Sequence, residues 1–542
     1  MKLPKMRFTS GIKKVQQVKF AGLDHTLGGG EGSLWDMKNL TSDHFPLLAT
    51  RAPRGKVGEV IAPMGLFSAG GTEPGTEKKL CYVANDHFYF DGVDKGALRS
   101  SCAGAVRQFA HLQGKVAIFP DKKYYDIAQD TMGDMEARWS GAKIQFQDDT
   151  YGGVPAEANT LYCEGADFES LFRVGDAVSI KGCVTHPENN QTLEIREIDG
   201  DRLRFYENSF TLGDGADSYQ ENGEMSISRE VPDLVCVCAH NNRLWGADAR
   251  TIYCGKLGDI FNWHDMDNGV DCWQWEPGSS GAFTACVSYR GYPVFFKEDM
   301  IYKIYGDMPS DFQALDSATL GVAEGGGRSL AVAGETLFYL SRNGVAAYQG
   351  GIPALIGQDM GQQRFAAGVA GSDGIKYYIS LEDAQGRWRL YVYDTENGLW
   401  HIEDDTQAVG FARCDGVLYL LTAEGELLST SAAAGEGVTA EGPVEWMAEF
   451  GDITEENSNK KGISRLQMRI DLEKDASVQV YIQYDSTGLW QPFGEPLRTQ
   501  NKRSFILPVI PRRCDHYRLK LVGQGQCYIY SIAREFYVGS GQ

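Results

Sequence analysis

Apolar residues recur at every second position in short runs along most of this chain. Each run is closed by a turn of Gly, Asn or Asp, and the 3.6-residue apolar period of a helix is nearly absent. Alternation of period two turns one face of a segment toward a core and the other toward water, so the pattern predicts many short antiparallel strands. LCYVANDHFYFDG (80–92) reads as a hairpin turned at Asn85-Asp86, and FAHLQGKVAIFPDKKYYDI (109–127) as another turned at Gln113-Gly114. The same grammar returns in VCVCAHNNRLWGADARTIYCGKLGD (235–259), ACVSYRGYPVFFKEDMIYKIYGD (285–307), SLAVAGETLFYLSRNGVAAYQGG (329–351), KYYISLEDAQGRWRLYVYDTENGLWHIED (376–404) and VGFARCDGVLYLLTAEGELLSTS (409–431). Units of three or four strands at this spacing cannot bury both faces alone and need neighbours, which predicts a β-propeller of about seven blades.

Two stretches break the series. FRVGDAVSIKGCVTHPENNQTLEIREIDGDRLRFYENSF (172–210) packs five short strands between Gly, Asn and Asp turns and predicts a small β-barrel inserted into a propeller loop. RLQMRIDL, SVQVYIQYD, RSFILPVI, HYRLKLVG and YIYSIAREFYV, near the C-terminus, predict a terminal β-sandwich. The expected layout is therefore a basic N-terminal arm and propeller lead-in over 1–56, propeller over 57–140 and 231–440, the barrel over 141–230, and the sandwich over 441–542.

Composition agrees with this picture and narrows the function. A chain of 542 residues is long enough for several domains, and its 64 glycines, 26 tyrosines and 25 phenylalanines favour turns and pleated surfaces. A net charge of −21 repels phosphate and disfavours a general nucleic-acid binder. Residues 1–56 run against that balance with ten Lys or Arg and four acids. Lys2, Lys5, Arg7, Lys13 and Lys14 there, with Lys460, Lys461 and Arg465 of KKGISR, are the candidate contacts to an acidic neighbour or a second copy. Removing 1–56 is expected to spare the propeller and impair assembly. Twelve irregularly spaced cysteines, with Cys236 and Cys238 sharing one strand face, point to reduced, mostly buried thiols in a protein folded in a cytosol. The first residues carry no apolar leader and no run is long enough to span a membrane.

No constellation of catalytic type stands out. DMDNGVD (265–271) offers Asp265, Asp267 and Asp271 to a cation but lacks the closing Glu of a calcium loop. GGGEG (28–32) and EGGGR (324–328) lack the Lys-Ser/Thr of a phosphate loop, and there is no G-x-S-x-G or H-E-x-x-H. WQW (273–275) and Trp400 are read as blade core before sugar platforms. No catalytic, cofactor or metal residue is assigned, and no cofactor is expected.

The order of VKFAGLDHTLGGGEGSLWDMKNLTSDHFPLLATRAPRG (18–55) is the most specific feature: a β run, a Gly-rich loop, Met37-Lys38-Asn39-Leu40, then Pro46-Leu47-Leu48 and Arg51 to Gly55. With NNRLWGADARTIYCGKLGDIFNW (241–263) and FFKEDMIYKIYGD (295–307), it resembles the phage tail propeller proteins of the nozzle, or tail tubular protein B, group of short-tailed phages. That resemblance implies a structural virion protein, not an enzyme, assembled in the bacterial host cytoplasm. It also implies a homo-oligomeric ring, commonly sixfold, that contacts other tail proteins such as adaptor, fibre or tip proteins. Genomic DNA would pass through the ring without specific binding. The rival readings are a receptor- or glycan-binding tail adhesin and a propeller glycosidase.

Overall fold

The computed structural model describes residues 11–26, 32–70, 77–149, 157–206, 208–266, 270–431, 437–456, 459–498, 503–508 and 512–538. These residues form strands joined by turns and four single 3-10 turns, with no α-helix among them. The chain divides into two compact units, residues 67–323 and residues 1–66 with 324–542.

In the first of these units, four antiparallel sheets of four strands follow one another as up-and-down meanders. Their strands are Pro63–Ala69, Lys79–Ala84, His87–Phe90 and Val93–Ala97; Gln108–Leu112, Lys115–Phe119, Lys123–Asp126 and Thr131–Asp134; Cys236–His240, Arg243–Ala247, Ile252–Cys254 and Trp273–Trp275; and Ala285–Tyr289, Tyr292–Phe296, Met300–Tyr305 and Gln313–Ala318. Successive sheets bury apolar faces against each other. Leu112, Phe119, Leu244 and Phe261 pack in one such layer, and Cys236, Trp245, Phe295 and Tyr302 in the next. Tight turns set the hairpins. Asn85-Asp86, Gln113-Gly114, Asn241-Asn242 and Arg290-Gly291 all have both residues at positive φ, the backbone twist that matches right-handed strands in two-residue hairpins.

Three more blade sheets lie in the other unit. Ala331–Ala333, Thr336–Ser341, Gly344–Tyr348 and Ala354–Leu355 form one, and Phe365–Ser372, Lys376–Asp383, Trp388–Asp394 and Leu399–Ile402 the next. The last has Ala408–Cys414, Val417–Thr422 and Glu426–Ser429, and its fourth strand is Gly55–Glu59, drawn from the start of the chain, with Thr439–Ala440 beyond it. The protein is all-β and of the β-propeller class, with seven blade sheets among the described residues.

The inserted segment differs from the expected barrel. Its strands fall into two sheets over one core, four strands in Ala137–Gly141, Met225–Arg229, Ala177–Lys181 and Thr192–Glu194, and five in Glu197–Asp199, Arg202–Arg204, Glu157–Tyr162, Ile144–Asp149 and Ser218–Glu221. Phe146, Leu161, Phe168, Ile180, Leu203 and Ile227 fill the space between them. The strand that enters this segment pairs with the one that leaves it, Ala137 opposite Arg229, so the insertion begins and ends at one place.

The C-terminal sandwich is present, and the N-terminal residues are part of it. One sheet orders Leu40–Thr41, Leu48–Thr50, Cys527–Val538, Lys461–Leu472 and Ser504–Pro508, with Ile12–Gln17 also on Cys527–Val538. The other orders Leu34–Lys38, Glu445–Phe450, Tyr517–Gln524, Ser477–Tyr484 and Gln491–Pro492, with Leu497–Arg498 beside it. The segments 12–17, 34–41 and 48–50 therefore do not hang from the propeller as an arm. Their strands are sheet members, so removal of 1–56 strips four strands from the sandwich and takes the first two residues of Gly55–Glu59 from the last blade.

Gly425 marks how closely that last blade is closed. Its φ is +94, and a Cβ there would stand 2.0 Å from the Val60 carbonyl oxygen, while its own carbonyl accepts the Val60 N–H at 2.7 Å. Gly425→Ala is expected to cost about 3 kcal/mol of stability, whereas Gly58→Ala, with nothing within 4 Å, stays within about 0.5 kcal/mol of the parent; urea unfolding of both checks this.

Candidate functional site

Lys2, Lys5 and Arg7 lie outside the described residues. Lys13 and Lys14 are exposed on the strand Ile12–Gln17, whose register runs from Ile12 opposite Tyr537 to Gln17 opposite Ile532. The other side of that strand pairs with no strand among the described residues, and Ile12 is 70% exposed. An open β edge carries unpaired N–H and C=O groups that can template another strand, and lysines are a usual guard on such edges. Lys460 is exposed. Arg465 is half-buried and stands 3.7 Å from Glu535, which Lys14 approaches at 3.9 Å.

Lys461 does not meet a partner. It is fully buried, its ammonium donates to the Asp515 carbonyl, and its backbone exchanges two 2.9 Å hydrogen bonds with Cys514. The Lys-Lys pair reads as one basic patch in sequence, but strand alternation sends the second lysine inward, where a backbone carbonyl receives it.

Two arginines read as part of the basic arm form a densely bonded group with three carboxylates. Arg54 is buried and contacts Glu403 at 2.5 Å and Asp404 at 2.8 Å. Arg51 makes a two-pronged contact with Glu441 at 2.7 and 3.0 Å and donates to the Asn39 side-chain oxygen at 2.7 Å. Glu441 in turn accepts the Arg54 backbone N–H at 3.0 Å. Burial alone would lower the Arg54 pKa, but Glu403 and Asp404 outweigh it and hold the guanidinium charged beyond its ordinary range. Burial would raise the Asp404 and Glu441 carboxyls, and Arg54 and Arg51 respectively keep them below the usual carboxylate range. Every charge in the group is thus paired, which is the condition under which buried ions persist.

The Phe261-Asn262-Trp263 stretch docks the inserted segment. Asn262 donates to Asp176 at 3.4 Å and accepts the Ala177 N–H at 2.9 Å. Arg229 bonds Asp176, and the Arg173 guanidinium lies 3.7 Å from the Phe261 ring centre.

The sandwich holds a cavity of about 420 Å³ between its two sheets at the edge where Ile12–Gln17 and Leu34–Lys38 end. Trp35 forms one wall, with the Arg518 guanidinium 5.3 Å from its ring centre and Nε of Arg518 on Asp452 at 2.5 Å. Phe450 and Ile532 add apolar surface, and Arg534, held at 2.8 Å by Glu455, is buried behind them. An aromatic wall beside charge-paired hydrogen-bonding groups is the mixture found in pockets for small polar ligands. Sequence reasoning missed this cavity because its walls come from residues 17–26, 32–35, 450–456 and 518–534, and no local motif joins them.

The remaining motifs resolve into structure. Asp267 lies outside the described residues, and Asp271 faces Lys256 at 3.4 Å. Trp400 is fully buried and donates to the Ile356 carbonyl at 2.8 Å; Trp273 and Trp275 pack on the core around Trp245. Among the described residues no cluster of three His, Cys, Asp or Glu is arranged to hold a metal ion, and no helix is long and apolar enough to cross a membrane.

No family model and no curated protein matches the chain. Solved structures with a partial likeness include BamB from Moraxella catarrhalis, at 10% identity over 70% of this chain and 97% of that one with a TM-score of 0.31. BBS1N in complex with ARL6DN matches at 10% identity over 71% and 99%, with a TM-score of 0.32. Exo-beta-1,3-galactanase from Phanerochaete chrysosporium matches at 8% identity over 55% and 94%, with a TM-score of 0.24. The first two are propeller-like proteins; the fold class stands on the sheets described above.

Arg54→Ala leaves Glu403 and Asp404 with only the more distant Arg51, 3.9 Å from each, and is expected to cost about 3 kcal/mol, read as a shift in urea midpoint. His401, buried beside Lys376, Asp43 and Asp394, has its pKa pushed down to about 4 by burial first and by Lys376 next. Its neutral form is therefore favoured by folding: the unfolded chain takes up a proton near pH 6.5 that the folded one refuses until about pH 4. Stability from this residue is intact above about pH 6.5 and falls as pH drops toward 4, by up to about 3 kcal/mol. His401→Gln is expected to flatten unfolding free energy between pH 6.5 and 4.5, measured by denaturant titration at each pH.

Proposed function

We propose that this chain is a non-enzymatic structural subunit of a bacteriophage tail, of the nozzle kind, which joins copies of itself and neighbouring tail proteins into a ring around the genome exit channel. The support comes from the sequence order of residues 18–55 and from one structural observation, the open strand Ile12–Gln17 with exposed Ile12, Lys13 and Lys14. Strand addition at such an edge gives main-chain hydrogen bonds as affinity and side-chain alternation as register. A net charge of −21 suits a conduit that lets a polyanion slide. Several buried charges sit in fixed ion pairs that join segments, in keeping with a role in assembly.

In this reading the protein is a stoichiometric component of phage particles released by the cell that carries its gene, and its purified form assembles into rings in the presence of its tail partners. Proteomics of purified particles and negative-stain images of the reconstituted protein test this. Lys13→Glu with Lys14→Glu is expected to leave the fold intact and reduce ring formation. Absence of the chain from particles contradicts the reading.

The Trp35 cavity favours a second reading, a tail adhesin that recognises a small neutral saccharide. Titration with mono- and disaccharides followed by tryptophan fluorescence distinguishes the two: saccharide binding by the isolated monomer that is lost in Trp35→Ala supports the adhesin.

A further inference from the structure

Three cysteines from two successive blades meet in one layer. Cys236 and Cys238 lie on the strand Cys236–His240, and Cys286 lies on Ala285–Tyr289, the first strand of the following blade. All three belong to the apolar layer around Trp245 and Phe295, Cys236 buried and the other two half-buried. Side chains two apart on a strand share a face, so Cys236, Cys238 and His240 point one way from their strand, and Cys286 and Ser288 one way from theirs. His240 Nδ1 lies 2.8 Å from Ser288 Oγ. That contact fixes which residues face each other. Stepping back two residues on each strand from the His240–Ser288 pair places Cys238 opposite Cys286, with Cys236 diagonal to it. Burial first, and the Cys236 and Cys238 thiols beside it next, push the Cys286 thiol well above its ordinary pKa, which is what three apposed sulfurs produce.

We infer that Cys238 and Cys286 are an oxidation site, a thiol pair that closes into a disulfide and bolts two blades together when the protein leaves a reducing compartment. The oxidant is a small-molecule disulfide such as oxidised glutathione. The Cys286 or Cys238 thiolate, having given up its proton, attacks one sulfur and releases one glutathione thiolate, forming a mixed disulfide. The second cysteine, likewise deprotonated, attacks the protein sulfur of that mixed bond and releases the other glutathione. Two cysteine thiols have then lost two protons and two electrons, and one glutathione disulfide has become two thiols. The raised Cys286 pKa keeps that thiol protonated and slow to react at neutral pH, so the bridge forms over long exposure or at alkaline pH, not during folding in a cytosol. This inference does not depend on the tail reading.

The test uses the full-length protein, purified reduced, incubated with oxidised glutathione at mildly alkaline pH and then digested without reductant. The expected result is a linked pair of peptides carrying Cys238 and Cys286, lighter by two hydrogens than the sum of the reduced peptides, and a thermal midpoint higher by several degrees. Cys286→Ser and Cys238→Ser each remove both the linked species and the thermal shift, while Cys254→Ser, from the same layer, keeps them. Circular dichroism establishes that each variant is folded. A bridge from Cys286 to Cys236, a bridge between Cys236 and Cys238, or three unlinked thiols after the urea-unfolded chain has been shown to oxidise under the same conditions each overturns the inference.

Discussion

A strand buried far from its sequence neighbours is held only if its ends are held, and in this chain the segment 51–59 carries that constraint for its whole unit. Arg51 and Arg54 leave the sandwich and the residues just after them enter the last blade. Glu403 and Asp404 follow the outer strand of one blade, and Glu441 follows the last strand of another. Two buried guanidiniums face three carboxylates, of which Glu441 reaches toward water. Their value lies in geometry: the Glu441 carboxylate reaches both arginines, so the N-terminal segment, a blade end and the lead-in to the sandwich meet at one point. Losing either arginine would leave more carboxylate than cation in a poorly solvated place.

That joint explains why the first residues serve two domains. Leu34–Lys38, Leu40–Thr41 and Leu48–Thr50 lie in the sandwich sheets, with Leu48 opposite Ile529, and Gly55–Glu59 lies beside Glu426–Ser429 in the last blade. A blade completed by a strand from the other end of the chain cannot form until both ends are made. The same economy recurs in the inserted segment, which enters and leaves through paired strands and is pinned by Asp176 between Arg229 and Asn262.

Local physics was readable from the residues. Hairpins at Asn85-Asp86 and Gln113-Gly114 are where apolar alternation and turn chemistry place them, and both residues of each turn sit at positive φ. Blade strands, the terminal sandwich and the inserted β segment could be read for the same reason, since each rests on alternation and turns within a few residues. What could not be read was long-range. Gly55–Glu59 carries no mark of pairing with residues beyond 425, and Arg51 and Arg54 look like surface cations until Glu403 and Glu441 arrive. Lys461 shares its composition with exposed Lys460, and only the facing Asp515 carbonyl explains its burial. The two-sheet form of the insertion depends on which strands pair, which alternation does not state. The cavity at Trp35 is built from three distant stretches and left no local trace.

The described strands between Ile12 and Glu59 are members of the sandwich and last blade, fastened at Arg51 and Arg54. Hydrogen exchange read residue by residue tests this most directly. The account predicts that amides in Ile12–Gln17, Leu34–Lys38 and Gly55–Glu59 are protected and open together with Cys527–Val538 and Glu426–Ser429, in one cooperative step. Rapid exchange throughout 12–59, while the C-terminal strands stay protected, would contradict it.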